Sequence, residues 1–153
     1  MELAFNQAED ALNHDEVPIG AVMVYKGEVI ASASNQVERD GDATSHAELL
    51  CIHKACEYFA NQGLPSKRIP DCDLYVTLEP CTMCAGAIAH ARIKNLYFAA
   101  QDSKGGAVTS GVQFFDQDTC HHKINVIHMK SFEERSADLL QSFFKAKRQQ
   151  KQS

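Results

Sequence analysis

Leu74-Tyr75-Val76-Thr77-Leu78-Glu79-Pro80-Cys81-Thr82-Met83-Cys84 is the stretch that decides the fold. Leu74 to Leu78 is a short apolar run and reads as a strand. Pro80 marks a helix start behind it, because a fixed φ and a missing N–H are harmless in a first turn. Cys81 and Cys84, three positions apart, then share one face of that helix. The helix leads to a second apolar run, Leu96 to Ala100. A strand, helix, strand succession is a crossover unit and implies a parallel pair.

The surrounding chain alternates in the same way. Leu3, Ala4, Ala8, Ala11 and Leu12 fall on one face of a first helix that stops before Pro18. Ala21 to Tyr25 and Val29 to Ser34, parted by Lys26-Gly27, predict a hairpin. A helix capped by Thr44 or Ser45 carries Leu49, Leu50, Ile52 and Ala55 and ends near Gly63. Ile124 to His128 adds a fifth strand, and Phe132 to about Arg148 a last helix. The expected architecture is a three-layer α/β domain with a mixed five-stranded sheet, one domain over residues 1–153. At 44% hydrophobic, the chain has enough apolar residues for one core.

On that frame, His46-Ala47-Glu48 and the Cys81/Cys84 pair supply one imidazole, two thiolates and a carboxylate. Three N/S ligands with a fourth position open to water are the layout of a catalytic zinc site, leaving Glu48 free to move protons. The site is expected outside the carboxyl end of the Leu74 strand, where open α/β sheets keep their crevices. Two thiolates cancel the formal charge of the ion and weaken it as an acid, so a base is needed as well. Three plainer readings stand beside this one. The Cys pair alone fits a redox motif, Cys72 could close a structural zinc site, and Glu48 could be a solvated helix residue.

His-Ala-Glu followed by Pro-Cys-Thr-Met-Cys resembles the signature of the zinc nucleoside and nucleobase deaminases, whose cytidine deaminase-like fold it implies. Glu16 to Val22, Asn35, Tyr75 to Ile88, Ala91-Arg92-Ile93 and Asp102 to Ala107 are further similar to the bacterial tRNA-specific adenosine-34 deaminases. That likeness spans nearly the whole chain and weakens between about Val108 and Val126. It implies one zinc ion per subunit on His46, Cys81 and Cys84, with Glu48 catalytic, in a homodimer that converts adenosine to inosine at the wobble position of a tRNA anticodon loop. Glu48 would take the water proton, and the same carboxylic acid would then protonate the ring nitrogen and afterwards the leaving ammonia.

Substrate contacts follow from the same resemblance. Asn35 would read the edge of the base, unless it merely ends its strand. Glu16 and Pro18 would shape the pocket wall, although Pro18 also serves as a plain helix stop. Asp102 would bond a ribose or a neighbouring base and Lys104 a phosphate, or both belong to a solvated loop. A net charge of −5 opposes general nucleic-acid affinity, yet Lys145, Lys147, Arg148 and Lys151 fall within nine residues that contain no acid. That strip suits one RNA loop, and equally suits the frayed basic end of an amphipathic helix. Of Phe143 and Phe144 before it, one is expected in the core and the other near the pocket, where it could stack on a base. Phe144, Lys147 and Arg148 are the RNA-contacting candidates in this segment.

Met1-Glu2-Leu3-Ala4 is acidic and amphipathic, so the protein is expected in the cytoplasm, where a disulfide framework from its six cysteines is improbable. His121, His122 and His128 lack ligand spacing to the signature and read as ordinary histidines. Two rival functions share some of these features. A free guanine or cytosine deaminase would share zinc, Glu48 and fold but would need neither the basic tail nor the Asp102 to Lys104 loop. A zinc-stabilised RNA-binding subunit without activity would have little reason to keep Glu48.

Overall fold

The structure, a computed structural model, describes residues 1–153. In chain order the elements are α1 (Glu2–Asn13), β1 (Gly20–Tyr25), β2 (Glu28–Ser34), α2 (Val37–Asp40), α3 (Ala47–Asn61), β3 (Cys72–Leu78), α4 (Thr82–Ala91), β4 (Asn95–Ala100), β5 (Asn125–His128) and α5 (Glu133–Gln152). Two 3₁₀ turns, Phe114–Asp116 and Lys130–Phe132, punctuate the later loops. The sheet order is β2-β1-β3-β4-β5. β1 lies antiparallel to β2 and β3, and β3, β4 and β5 run parallel. The expected mixed five-stranded sheet and its crossover are both present. No helix is long and apolar enough to cross a membrane.

α1 and α5 cover one face of the sheet, and α3 with α4 covers the other. Met23, Leu74, Val76, Leu96 and Phe98 fill the layer between, all without solvent exposure. The hairpin turns on Lys26 at φ 50° and Gly27 at φ 77°, the two left-handed residues that a type I′ turn requires. α3 ends as expected, with Gly63 at φ 69° donating to the Ala60 carbonyl and Leu64 donating to Phe59. That pair of bonds is a Schellman motif.

The predicted face of α1 is corrected. Ala4, Phe5, Ala8 and Ala11 are buried, whereas Leu3 and Leu12 are exposed. The cause is Gly20 on β1: a Cβ there would sit 2.0 Å from the Ala4 carbonyl oxygen and 2.5 Å from the Ala8 nitrogen. Helix and strand touch backbone to backbone, so alanines face the strand and the leucines turn to the flanks. Gly20→Ala is expected to cost upwards of about 3 kcal/mol, since neither backbone can yield. Thermal unfolding should fall by roughly 6–12 °C in a domain of this size. An unchanged midpoint would show that the contact is soft.

Three boundaries also shift. The cap of α3 is His46 and not Thr44 or Ser45, the cap of α4 is Cys81 with Pro80 just outside it, and α5 runs on to Gln152.

Candidate active site

His46 and Cys81 hold the same position on two helices. Each is the residue before the first turn, with extended backbone (ψ 149° and 175°), and each points ahead of its helix. Cys84 follows in the first turn of α4, buried. The N-termini of α3 and α4 therefore converge at the carboxyl end of β3, where the crevice was expected.

His46 Nδ1 lies 3.7 Å from Cys81 Sγ and 3.6 Å from Cys84 Sγ. All three ligand atoms lie within 4.8 Å of one another. Tetrahedral zinc with bonds of about 2.3 Å to sulfur and 2.0 Å to nitrogen separates such atoms by about 3.6 Å. The donor set fits zinc in type and spacing. Cys72 does not join it: it opens β3, six residues back along an extended strand. Burial pushes the Cys72 thiol up to about 12, and that of Cys51 likewise, as befits inert core thiols.

Hydrogen bonds with Cys84 and His46 bring the Cys81 thiol down to about 4 against the opposing effect of burial. The same contact with Cys81, together with burial, pushes Cys84 up. His46 is raised first by its bond to Cys81. Without an ion, the three groups share protons that a dication would displace.

Glu48, in the first turn of α3, is only 4% exposed, and burial raises its carboxyl above the usual range. It lines a groove of about 1070 Å³ together with His46 and Cys81. Asn35 lines it as well. Its amide has no partner within the chain, although the residue is 5% exposed and no fully buried side-chain polar atom lacks a partner, so that amide faces the groove. Glu16 lines it through its stem, because its carboxylate accepts the backbone N–H groups of Glu38 (3.1 Å) and Arg39 (2.7 Å). That bond pair caps α2, a four-residue helix with no signal in the sequence. Pro18 is buried behind the wall and does not line it. It instead sits in a tight turn closed by Ile19 N–H donating to Val17, which sets the two residues that do.

The rim is built from the loop after β4 and from α5. Asp102, Ser103, Lys104 and Gly105 line one side. Asp102 Oδ1 accepts the backbone N–H groups of Lys104 and Gly105, so part of its carboxylate serves its own turn. Phe143 and Phe144 both line the other side, the first buried and the second 44% exposed. Lys147 and Lys151 join them, with Lys147 paired to Asp15, while Arg148 is exposed outside the groove. His122 and His128 bond the backbone carbonyls of Ile93 and Ala99, which explains them without a ligand role.

Sequence reasoning passes over Glu79, which lines the groove with its carboxylate bonded to the loop behind the rim. The one signal for it is a lone acid closing an apolar strand directly before Pro-Cys.

A family model for MafB19-like deaminases matches residues 1–148. A tRNA-specific adenosine deaminase of Agrobacterium fabrum is 53% identical over 97% of this chain and 93% of its own length. A structure solved in work on A-to-I editing by tRNA:A34 deaminases at the wobble position superposes with a TM-score of 0.84 at 54% identity, covering 92% of this chain and 97% of the other. A guanine deaminase from Bacillus subtilis is also similar, with a TM-score of 0.58 and 39% identity over 65% of this chain and 61% of the other.

Proposed function

The chain belongs to the tRNA-specific adenosine deaminases, and from that premise we propose that it hydrolyses the wobble adenosine of a tRNA anticodon loop to inosine, with Glu48 as proton carrier and His46, Cys81 and Cys84 as zinc ligands. The observation that carries this reading is the buried carboxylate of Glu48 beside a three-donor set at the floor of a groove whose rim bears lysines and an exposed phenylalanine.

A zinc ion held there supplies the Lewis acidity that lets water ionise near neutral pH. His46, Cys81 and Cys84 would hold it, beside the groove that Glu48 lines. Glu48 takes one proton from the attacking water and delivers it to N1 of the adenine ring, then takes the second from the hydroxyl now on C6 and delivers it to the exocyclic nitrogen, which leaves as ammonia as the C6 carbonyl forms. Burial keeps its pKa high enough for it to give the proton back. Asn35 bonds the base edge, and Glu16 holds the wall that confines it. An unpaired loop base suits so deep a site, because extruding it costs little. Asp102 meets the ribose or the next base, Lys104, Lys147 and Arg148 meet phosphates, and Phe144 stacks on a neighbouring base.

Nucleoside mapping of an anticodon stem-loop after incubation tests this. Inosine is expected at the wobble position alone, with the other adenosines intact. Changing Lys147 and Lys151 to Gln should raise KM for the stem-loop and flatten its salt dependence by roughly 0.7 in log–log slope for each phosphate no longer neutralised. An unchanged slope would remove those lysines from the interface. The likeness to a guanine deaminase favours one second reading, release of ammonia from a free purine base. A cytoplasmic homodimer completes the proposal. Light scattering should give twice the 16.9 kDa of one chain, and a monomer mass would overturn that part.

A further inference from the structure

Glu79 is 2% exposed and has no cation among its partners. It follows the last residue of β3 and directly precedes Pro80 and Cys81, so its main chain leads into the metal-ligand helix. Its side chain does something different. Oε1 accepts the Asp102 N–H and the Ser110 hydroxyl, both at 3.0 Å. Oε2 accepts the N–H groups of Val108 (3.0 Å), Thr109 (3.0 Å) and Ser110 (2.9 Å). Five donors from one loop surround one carboxylate, and they neutralise a buried charge by dipoles alone.

The loop is shaped to admit that carboxylate. A Cβ on Gly106 would meet Glu79 Cδ at 2.5 Å and Oε2 at 2.6 Å. Gly111 takes φ 55°, and a Cβ there would strike the Gly106 carbonyl at 2.5 Å. Ala107 N–H donates to the Pro80 carbonyl, a further tie between loop and metal helix. The same loop presents Asp102 to Gly105 to the groove. Its distance from His46, Cys81 and Cys84 is therefore set by the Glu79 carboxylate together with the Ala107 to Pro80 bond.

We propose that Glu79 is a positioning residue for the nucleotides flanking the target base: it fixes loop 101–110 against the metal-ligand helix, and so fixes the span between the reacting ring and the neighbouring sugar and phosphate. The proposal rests on the reading of the substrate as an RNA loop. Glu79 touches neither the reacting atoms nor the metal, so its removal acts on recognition of the strand and not on proton transfer. Gln in its place turns a donor toward a ring of N–H donors and loosens the loop.

The test is steady-state kinetics of zinc-loaded wild type, Glu79→Gln and Ser110→Ala on an anticodon stem-loop, with zinc content measured for each. Glu79→Gln is expected to raise KM by about tenfold with zinc stoichiometric and kcat changed far less, the signature of strand binding lost equally from ground and transition states. Ser110→Ala deletes one of the five donors, leaves the backbone ring intact and should raise KM in the same direction by a smaller factor. It carries the test alone if Glu79→Gln does not fold. A kcat that falls with KM unchanged, a loss of zinc, or an unchanged KM in Ser110→Ala overturns the proposal. Failure of the RNA reading itself is seen separately, as a wild type that releases no ammonia from the stem-loop.

Discussion

Glu48→Gln should retain one zinc per chain and lose turnover by about 10²- to 10⁴-fold, the range assigned to a positioned acid–base group. The amide keeps the size of the side chain and cannot carry a proton between water, ring and amine. Every metal ligand stays in place, because Glu48 is no part of the His46–Cys81–Cys84 donor set. Stability should hold or rise, since burial penalises the charged carboxylate. The sign with pH follows. A carboxyl raised above its ordinary 4.5 binds more protons folded than unfolded, so the contribution of Glu48 to the stability of metal-free protein falls as pH climbs above that value. Metal-free Glu48→Gln lacks that loss, and urea midpoints at pH 4.5 and 7 read the difference. A variant with near-normal rate at full zinc occupancy would remove Glu48 from the chemistry.

Removing the metal should have the second large effect, on activity and fold together. His46 begins α3, and Cys81 and Cys84 begin α4, so an ion on all three clamps two helix N-termini to each other. Chelation should abolish ammonia release, and one equivalent of zinc should restore it. At free zinc a thousandfold above its dissociation constant the clamp contributes about 4 kcal/mol, a fall in midpoint of roughly 8–16 °C once it is removed. Cys84→Ser should reproduce both effects without recovery on adding zinc, because a buried hydroxyl is a poor ligand for it. Full activity in metal-free protein would refute the assignment of the three ligands.

The crossover from Leu74 to Ala100 was legible because strand, proline and cysteine signals agree locally and with the fold. The face of α1 was not, because the deciding residue is Gly20 on another element, and a helical pattern says nothing of how closely a strand approaches. α2 escaped for a like reason: a four-residue helix has little propensity of its own, and it is capped by Glu16, twenty-one positions before Val37. In the site, His46, Glu48, Cys81 and Cys84 could be read together since short spacings carry metal chemistry. Glu79 could not, because the five donors that give it meaning lie 23 to 31 residues downstream in a loop without periodicity. Asp102 was visible, but its use of one oxygen to close its own turn was not.

Ammonia release from zinc-loaded protein, with an anticodon stem-loop, free adenosine, guanine and cytosine offered in parallel, tests the central claim most directly. The account predicts ammonia from the stem-loop, matched mole for mole by inosine at the wobble position, and none above background from the free bases. Ammonia from guanine or cytosine with the stem-loop untouched would contradict it.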